Sequence, residues 1–322
     1  MSSAKKLTNN QLIDRFPELT RRQLLLRGLG GAACGFSLAG PFSITPAKAI
    51  DPIARTGSGP LKLSLAAYSF RQQLSLQPDK PGAMDLFELV NFCRQHQVPG
   101  IELTSYYFPA EFDQSYLRRL ARHCHLQGIT ISGGAIRNDF CVAPSELDQQ
   151  LEHVKKWVDA YAILGAPVIR IFAGSPPTGV SRDEAIRRCV AACETSCQYA
   201  GQKGVMLALE NHHGITDTAD SMLQVVEQVD SPWFGVNFDS GNFKSTDNPY
   251  DELAHIAPYA VNAQIKVEMW KAGNKIDADL PRIIDILRQA NYGGWVVFEY
   301  EAAEPAEQAV PKHLTELAKL IA

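Results

Sequence analysis

From about residue 60 onward, short apolar runs alternate with longer segments whose apolar positions recur every three or four residues. The runs cover residues 61–70, 98–103, 129–135, 168–172, 205–210, 234–238, 260–266 and 295–299. Each has the length of a strand. Because each run is largely apolar throughout, it suits a strand covered on both faces, as in a parallel sheet. The amphipathic segments between them predict helices over 85–97, 114–127, 145–164, 181–203, 218–229, 251–256, 280–289 and 306–321. Gly128, Gly165 and Gly204 stop three of these helices, and Ser181 with Glu184 three residues on reads as a capping box. Eight β-then-α units in about 260 residues is the usual size of a (β/α)8 TIM barrel. A doubly wound open sheet would carry a Gly-rich phosphate turn after an early strand, and the chain has none. The expectation is α/β, with one barrel over residues 61–322 and no second domain.

The first 49 residues stand apart from this pattern. Thr20-Arg21-Arg22-Gln23-Leu24-Leu25-Leu26 looks like a twin-arginine export signal. A weakly apolar Leu/Gly/Ala stretch follows it, and then Ala47-Lys48-Ala49, a small-x-small cleavage site. Pro41 interrupts the apolar stretch, which falls short of the roughly 20 residues a span requires. The mature protein is therefore expected in the periplasm or outside the cell, with no membrane contact. Gly31-Ala32-Ala33-Cys34 vaguely resembles an acylation box but lacks its leucine, so acylation is not expected. Residues 50–60, with Thr56-Gly57-Ser58-Gly59-Pro60, read as a flexible lead-in.

Composition narrows the function classes. A formal charge of -4 with no basic cluster gives no footprint for nucleic acid. Cys189, Cys193 and Cys197 fall at i, i+4 and i+8, one face of a helix, with no CxxC or zinc-like spacing. They read as buried small hydrophobes, with a disulfide to Cys93, Cys124 or Cys141 left open.

Candidate chemistry sits where the strands end. The run Val205-Met206-Leu207-Ala208-Leu209 stops abruptly at Glu210-Asn211-His212-His213. The sixth run ends in Asp239, the seventh contains Gln264, and the eighth ends in Glu299. In a barrel, the C-terminal strand ends are where chemistry is placed, so four successive strands can aim these side chains at one point. Three carboxylates there would repel one another unless a cation joined them, and an all-oxygen set suits a hard or borderline divalent ion. Taken singly, an acidic strand end is more often a solvated loop residue.

Leu209-Glu210-Asn211-His212, Asp239-Ser240-Gly241-Asn242, Gln264-Ile265-Lys266 and Phe298-Glu299-Tyr300-Glu301 together resemble the signatures of the xylose-isomerase-like sugar isomerase/epimerase superfamily. That group includes ketose 3-epimerases, inosose dehydratases and endonuclease-IV-type enzymes. The resemblance covers essentially the whole mature chain. It implies that Glu210, Asp239, Gln264 and Glu299 hold one divalent ion, commonly manganese, with magnesium, cobalt and zinc as alternatives. It also implies that the two glutamates lie on opposite faces of a bound sugar, and that the barrels often pair as homodimers. Two positions depart from the pattern. Gln264 stands where the family usually has histidine, and Asn242 stands where a histidine often follows the sixth strand. Both argue against a multi-zinc DNA-repair site and favour harder ions.

The implied chemistry is removal of the proton beside a carbonyl of a sugar or keto-sugar, with Glu210 and Glu299 as acid and base. A metal-stabilised enediolate would form. Return of the proton gives an epimerase or isomerase, loss of a β-group a lyase or dehydratase, and loss of catalysis a sugar-binding protein. Lys266, His212, Glu102, Arg170, Asn242 and Tyr68 are the expected substrate contacts. For Lys266 the alternative is a snorkelling surface lysine, for Glu102 and Arg170 a mutual pair inside the barrel. Phe70, Tyr106, Phe108 and Trp270, like Tyr68, lie near strand ends and fit either sugar stacking or a hydrophobic lid. Asn138-Asp139-Phe140 reads as a loop that closes over substrate, and His96, His123, His125 and His153 as structural or solvated residues on the outer helices.

Overall fold

The computed structural model describes residues 50–322 apart from Ser58, so the export-signal reading of residues 1–49 lies outside it. Eight parallel strands close into a barrel: β1 (Lys62–Ala66), β2 (Gly100–Thr104), β3 (Thr130–Ala135), β4 (Val168–Ile171), β5 (Met206–Glu210), β6 (Phe234–Asp239), β7 (Ala260–Ile265) and β10 (Trp295–Phe298). Neighbours follow chain order, and β10 closes onto β1 through the pairs Lys62 with Trp295 and Leu65 with Phe298. An outer ring of helices follows: α1 (Leu86–Gln95), α2 (Gln114–Gln127), α3 (Pro144–Leu164), α4 (Arg182–Gln202), α5 (Ala219–Val226), α6 (Pro249–Ile256), α7 (Leu280–Gln289) and α8 (Ala306–Ile321). None of the described helices is long and apolar enough to cross a membrane.

Local chemistry accounts for the helix boundaries. Asp85 and Glu88 cap α1 reciprocally, each backbone N–H donating 2.8 Å to the other's carboxylate. Gly128 and Gly165 end α2 and α3 at φ 71° and 77°, a conformation that costs glycine little. The capping box expected at Ser181 is only half made. Its hydroxyl accepts from Glu184 N, but the Glu184 carboxylate turns to Arg187 and Arg188 instead. Core packing explains the small residues of β3, because a Cβ on Gly134 would meet the Tyr161 ring at 2.3 Å.

Two local expectations change. The first strand stops at Ala66, and Ala67–Phe70 forms a 3-10 turn because the Ser69 hydroxyl bridges to β10, donating to Phe298 O and accepting from Tyr300 N. A hairpin of β8 (Glu268–Lys271) and β9 (Asn274–Asp277) follows β7. Its two-residue turn, Ala272 and Gly273 at φ 49° and 78°, has the primed geometry without the usual Asn-Gly signature. The start of the lead-in contacts the barrel: Ile53 N donates to Pro258 O at 3.1 Å, and the Arg55 guanidinium bonds Ala260 O and faces the Tyr292 ring.

Six buried cysteines, Cys93, Cys124, Cys141, Cys189, Cys193 and Cys197, all carry free thiols, so the disulfide left open in the sequence is not formed. They pack as apolar core, as the spacing on α4 suggested.

Candidate active site

Successive residues of a strand point to opposite faces, so residues two apart share one. On β6 this brings Asn237 and Asp239 inside the barrel. On β7 it brings Asn262 and Gln264 inside, with Lys266 just beyond. Polar side chains therefore stack along the axis. Low in the barrel, the hydroxyls of Ser64 and Ser132 bond at 2.6 Å. Above them, Glu102 accepts from Asn262 Nδ2 at 2.8 Å and from Gln264 Nε2 at 2.6 Å. Asn237 Nδ2 donates to Gln264 Oε1 at 2.6 Å, and Asn262 Nδ2 also donates to Asn237 Oδ1 at 2.8 Å.

The upper layer holds the charges. Glu210 Oε2 is 2.8 Å from Arg170 Nε, and its Oε1 accepts from Asn242 Nδ2 at 2.9 Å. Lys266 Nζ lies 3.0 Å from Asp239 Oδ2, 3.2 Å from Glu299 Oε2 and 3.4 Å from Glu301 Oε1. The Asp239–Lys266 and Arg170–Glu210 contacts are close in distance, but Asp239 Oδ2 and Arg170 Nε make no well-aligned hydrogen bond, so they are ion pairs by charge. Two asparagines extend the ladder past the strand ends. Asn211 bonds both backbone groups of Asp239 at 2.9 Å, and Asn138 bonds both of Phe172, at 2.8 and 2.9 Å. The loop of Asn138-Asp139-Phe140 is thus anchored to β4, with Phe140 buried.

Burial dominates the electrostatics. It pushes the carboxyls of Glu102, Glu210, Asp239 and Glu299 up to about 7. Burial opposes the Lys266 cation, but Asp239, Glu299, Glu301 and Glu210 outweigh it and hold the ammonium charged. Arg170 is kept charged the same way, chiefly by Glu210. His212 is pushed down to about 3 by burial, then by His213, Lys266 and Arg170, so its imidazole is neutral at ordinary pH. Its ring packs on Phe172 at 4.6 Å.

A cavity of about 600 Å³ opens above these groups. Of the residues expected from sequence, Tyr68, Arg170, Glu210, His212, Lys266 and Glu299 line it. Glu102, Asp239, Gln264 and Asn242 do not; they lie buried around and beneath. Lys266 is no snorkelling surface residue, being only 6% exposed. Glu102 pairs with the Gln264 and Asn262 amides rather than with Arg170. Tyr106 joins Tyr68 at the cavity, whereas Phe70 and Phe108 are buried among other aromatics and Trp270 sits on the β8–β9 hairpin between Lys244 and Lys275.

His153, in the middle of α3, lines the cavity wall together with Gln149 and Gln150 of the same helix. His123 bonds Asn91 and His96 packs on Phe92, while His125 is exposed, as outer-ring residues should be. Glu301, Asn237 and Asn262 were overlooked. Strand parity pointed to Glu301, two residues past Glu299, and a lone amide inside an apolar run pointed to the other two.

The four residues expected to share a divalent ion do not converge on an open centre. Both ends of the Gln264 amide are occupied by Asn237 and Glu102, Glu210 turns to Arg170 and Asn242, and an ammonium fills the space between Asp239 and Glu299. Among the described residues, no three His, Cys, Asp or Glu side chains are placed to hold one metal ion. As arranged, this set does not fit a divalent cation.

Solved structures share the fold at low identity. The apo 3-keto-D-glucoside 4-epimerase YcjR from E. coli matches with a TM-score of 0.62 and 16% identity, over 80% of this chain and 99% of that one. The probable 3-DHS dehydratase AsbF from Bacillus anthracis matches with a TM-score of 0.62 and 19% identity, over 80% and 98%. A xylose isomerase-like TIM barrel protein from Mycobacterium smegmatis, solved in complex with magnesium, matches with a TM-score of 0.61 and 17% identity, over 82% and 96%. No curated protein sequence matches the chain. At these identities the structural likeness speaks to fold alone. The description xylose isomerase-like TIM barrel fits residues 90–320 of the sequence, and the chain belongs to that family.

Proposed function

We propose that this barrel is an enzyme that moves a proton beside a carbonyl group of a sugar or keto-sugar, acting as an isomerase or epimerase. One observation carries the reading. Two buried carboxyls, Glu210 and Glu299, line the same cavity, each against its own cation, and burial holds both near neutrality. A carboxyl poised there accepts a proton from carbon and returns it at ordinary pH. The surrounding groups suit a small polyhydroxylated ligand. Neutral His212 offers one donor and one acceptor, Arg170 and Lys266 offer donors only, and Tyr68 and Tyr106 offer ring faces. Solved relatives named as an epimerase and a dehydratase fit a shared first step on this fold. Manganese or another divalent ion, expected from the strand-end motifs, has no step here because the donor set is otherwise engaged.

The test is a screen of keto-sugars in deuterated water for incorporation at the carbon beside the carbonyl. Glu210→Gln and Glu299→Gln should each lower exchange by about 10²–10⁴-fold, the usual contribution of one acid–base group. Exchange that survives in both variants rejects the two-base scheme. Product analysis in the same tubes separates isomerisation from β-elimination, and a sugar that binds without exchanging marks a binding protein.

A further inference from the structure

We propose that the ammonium of Lys266 is the resident cation of this barrel, gathering the strand-end carboxylates and polarising the substrate carbonyl without a divalent ion. The inference deepens the proton-transfer reading above and rests on it for its catalytic half. Four oxygen atoms surround Nζ within 3.4 Å: Asp239 Oδ2, Glu299 Oε2, Glu301 Oε1 and Asn242 Oδ1. They come from β6, the end of β10 and the loops after both, which is the span a strand-end cation would have to join. The fourth donor is spent elsewhere, since Gln264 is bound at both ends of its amide. Glu210 is likewise satisfied, by Arg170 and Asn242.

The chain also makes room for this lysine. A Cβ on Gly241 would come within 2.7 Å of Lys266 Cδ, so glycine keeps the channel for the stem open. The Lys266 backbone N–H donates to Ser240 Oγ at 2.8 Å, which fixes where the stem begins. A divalent ion entering between Asp239 and Glu299 would face a buried positive charge at contact distance, where Coulomb repulsion is poorly screened.

Lys266 lines the cavity and so can reach a ligand. The step balances without a metal. Glu210 or Glu299 takes the proton from the carbon beside the carbonyl, the C–H electron pair becomes the new C=C bond, and the C=O pair moves onto oxygen. An Nζ–H of Lys266 donates to that oxygen as its charge grows, which is the role of a preorganised oxyanion donor. The proton then returns to carbon, and the ammonium stays charged throughout.

Two measurements on the protein with residues 50–322 intact test this, with Mn2+ itself as the probe. In a titration followed by the electron paramagnetic resonance of free Mn2+, the wild type should show no saturable site at micromolar concentrations. In the keto-sugar screen, exhaustive chelation should leave deuterium exchange unchanged. Lys266→Met should lower exchange by about 10²–10³-fold, the usual loss for one oxyanion donor, and Lys266→Arg should recover part of it. If neither variant folds, the wild-type titration and chelation decide alone. One Mn2+ per chain, lost in Asp239→Asn, or exchange that chelation abolishes and Mn2+ restores, overturns the assignment. A wild type that binds no Mn2+ and exchanges no substrate proton would sink the proton-transfer reading while leaving Lys266 as the structural cation. Exchange that depends on Mn2+ would do the reverse.

Discussion

Asn211 is the place to test how the charged layer is held. Its side chain is fully buried, and it presents one donor and one acceptor to the backbone of Asp239, each bond 2.9 Å long. β5 ends at Glu210, so the amide supplies the ladder bonds that the backbone no longer makes. Asn211→Leu keeps the branched shape and removes both bonds, leaving an N–H and a C=O of Asp239 without these partners. A buried polar group left unpaired costs about 1–3 kcal/mol, so the pair should cost about 2–6 kcal/mol. For a domain of this size each kcal/mol lowers the thermal midpoint by about 2–4 °C, giving a drop of about 4–24 °C. Differential scanning calorimetry reads that directly. Because Asp239 also anchors Lys266, deuterium exchange should fall in kcat more than KM rises. Asn211→Asp keeps the acceptor, loses the donor and adds a buried anion beside Asp239, so it should be at least as damaging at neutral pH. A thermal midpoint for Asn211→Leu indistinguishable from wild type would refute the claim that side-chain amides carry the ladder past the strand ends.

Other outcomes follow from the same geometry. Glu102 has its carboxyl pushed from 4.5 to about 7 by burial, so it binds a proton more tightly folded than unfolded. Its contribution is full below about pH 4.5 and lost as pH rises through about 7, worth about 3 kcal/mol for this one group. The thermal midpoint should therefore fall from pH 5 to pH 8, and a rise across that window would contradict the burial argument. Gly134→Ala drives a methyl group into the Tyr161 ring and should cost about 1–3 kcal/mol in urea unfolding; an unchanged urea midpoint would mean the ring moves freely. Arg137 lies 4.7 Å over Tyr106 at the cavity wall, so Arg137→Ala should raise KM several-fold with kcat little changed, and an equal loss in kcat would place it nearer the chemistry.

The barrel was legible because its signals are repeated. Each unit carries an apolar run covered on both faces and a helix with a stripe of apolar residues, and errors at single boundaries do not disturb the count. The β8–β9 hairpin escaped notice because Ala272 takes the left-handed position where asparagine would have announced a turn. The overrun of the first strand has a tertiary cause, the Ser69 bridge to β10, which no local pattern encodes. Parity placed Asp239, Gln264, Lys266 and Glu299 inside the barrel. It did not say that the Lys266 stem would pass Gly241 and set its ammonium among the carboxylates, or that Gln264 would turn to Glu102 and Asn237. Those outcomes depend on side-chain reach across strands. The place of His153 on the cavity wall was not legible either, because a helical position in the sequence does not say which helix residues border the barrel mouth.

The buried thiols have a practical consequence. Burial pushes Cys124, Cys141 and Cys197 up to about 12 and Cys93 higher still, so none forms the thiolate that alkylating reagents attack. They are spread over α1, α2, α4 and the loop after β3, and each becomes reactive only when its part of the wall opens. Labelling of the six, read by mass after a timed pulse, thus dates the opening of separate sectors of the ring without any engineered reporter.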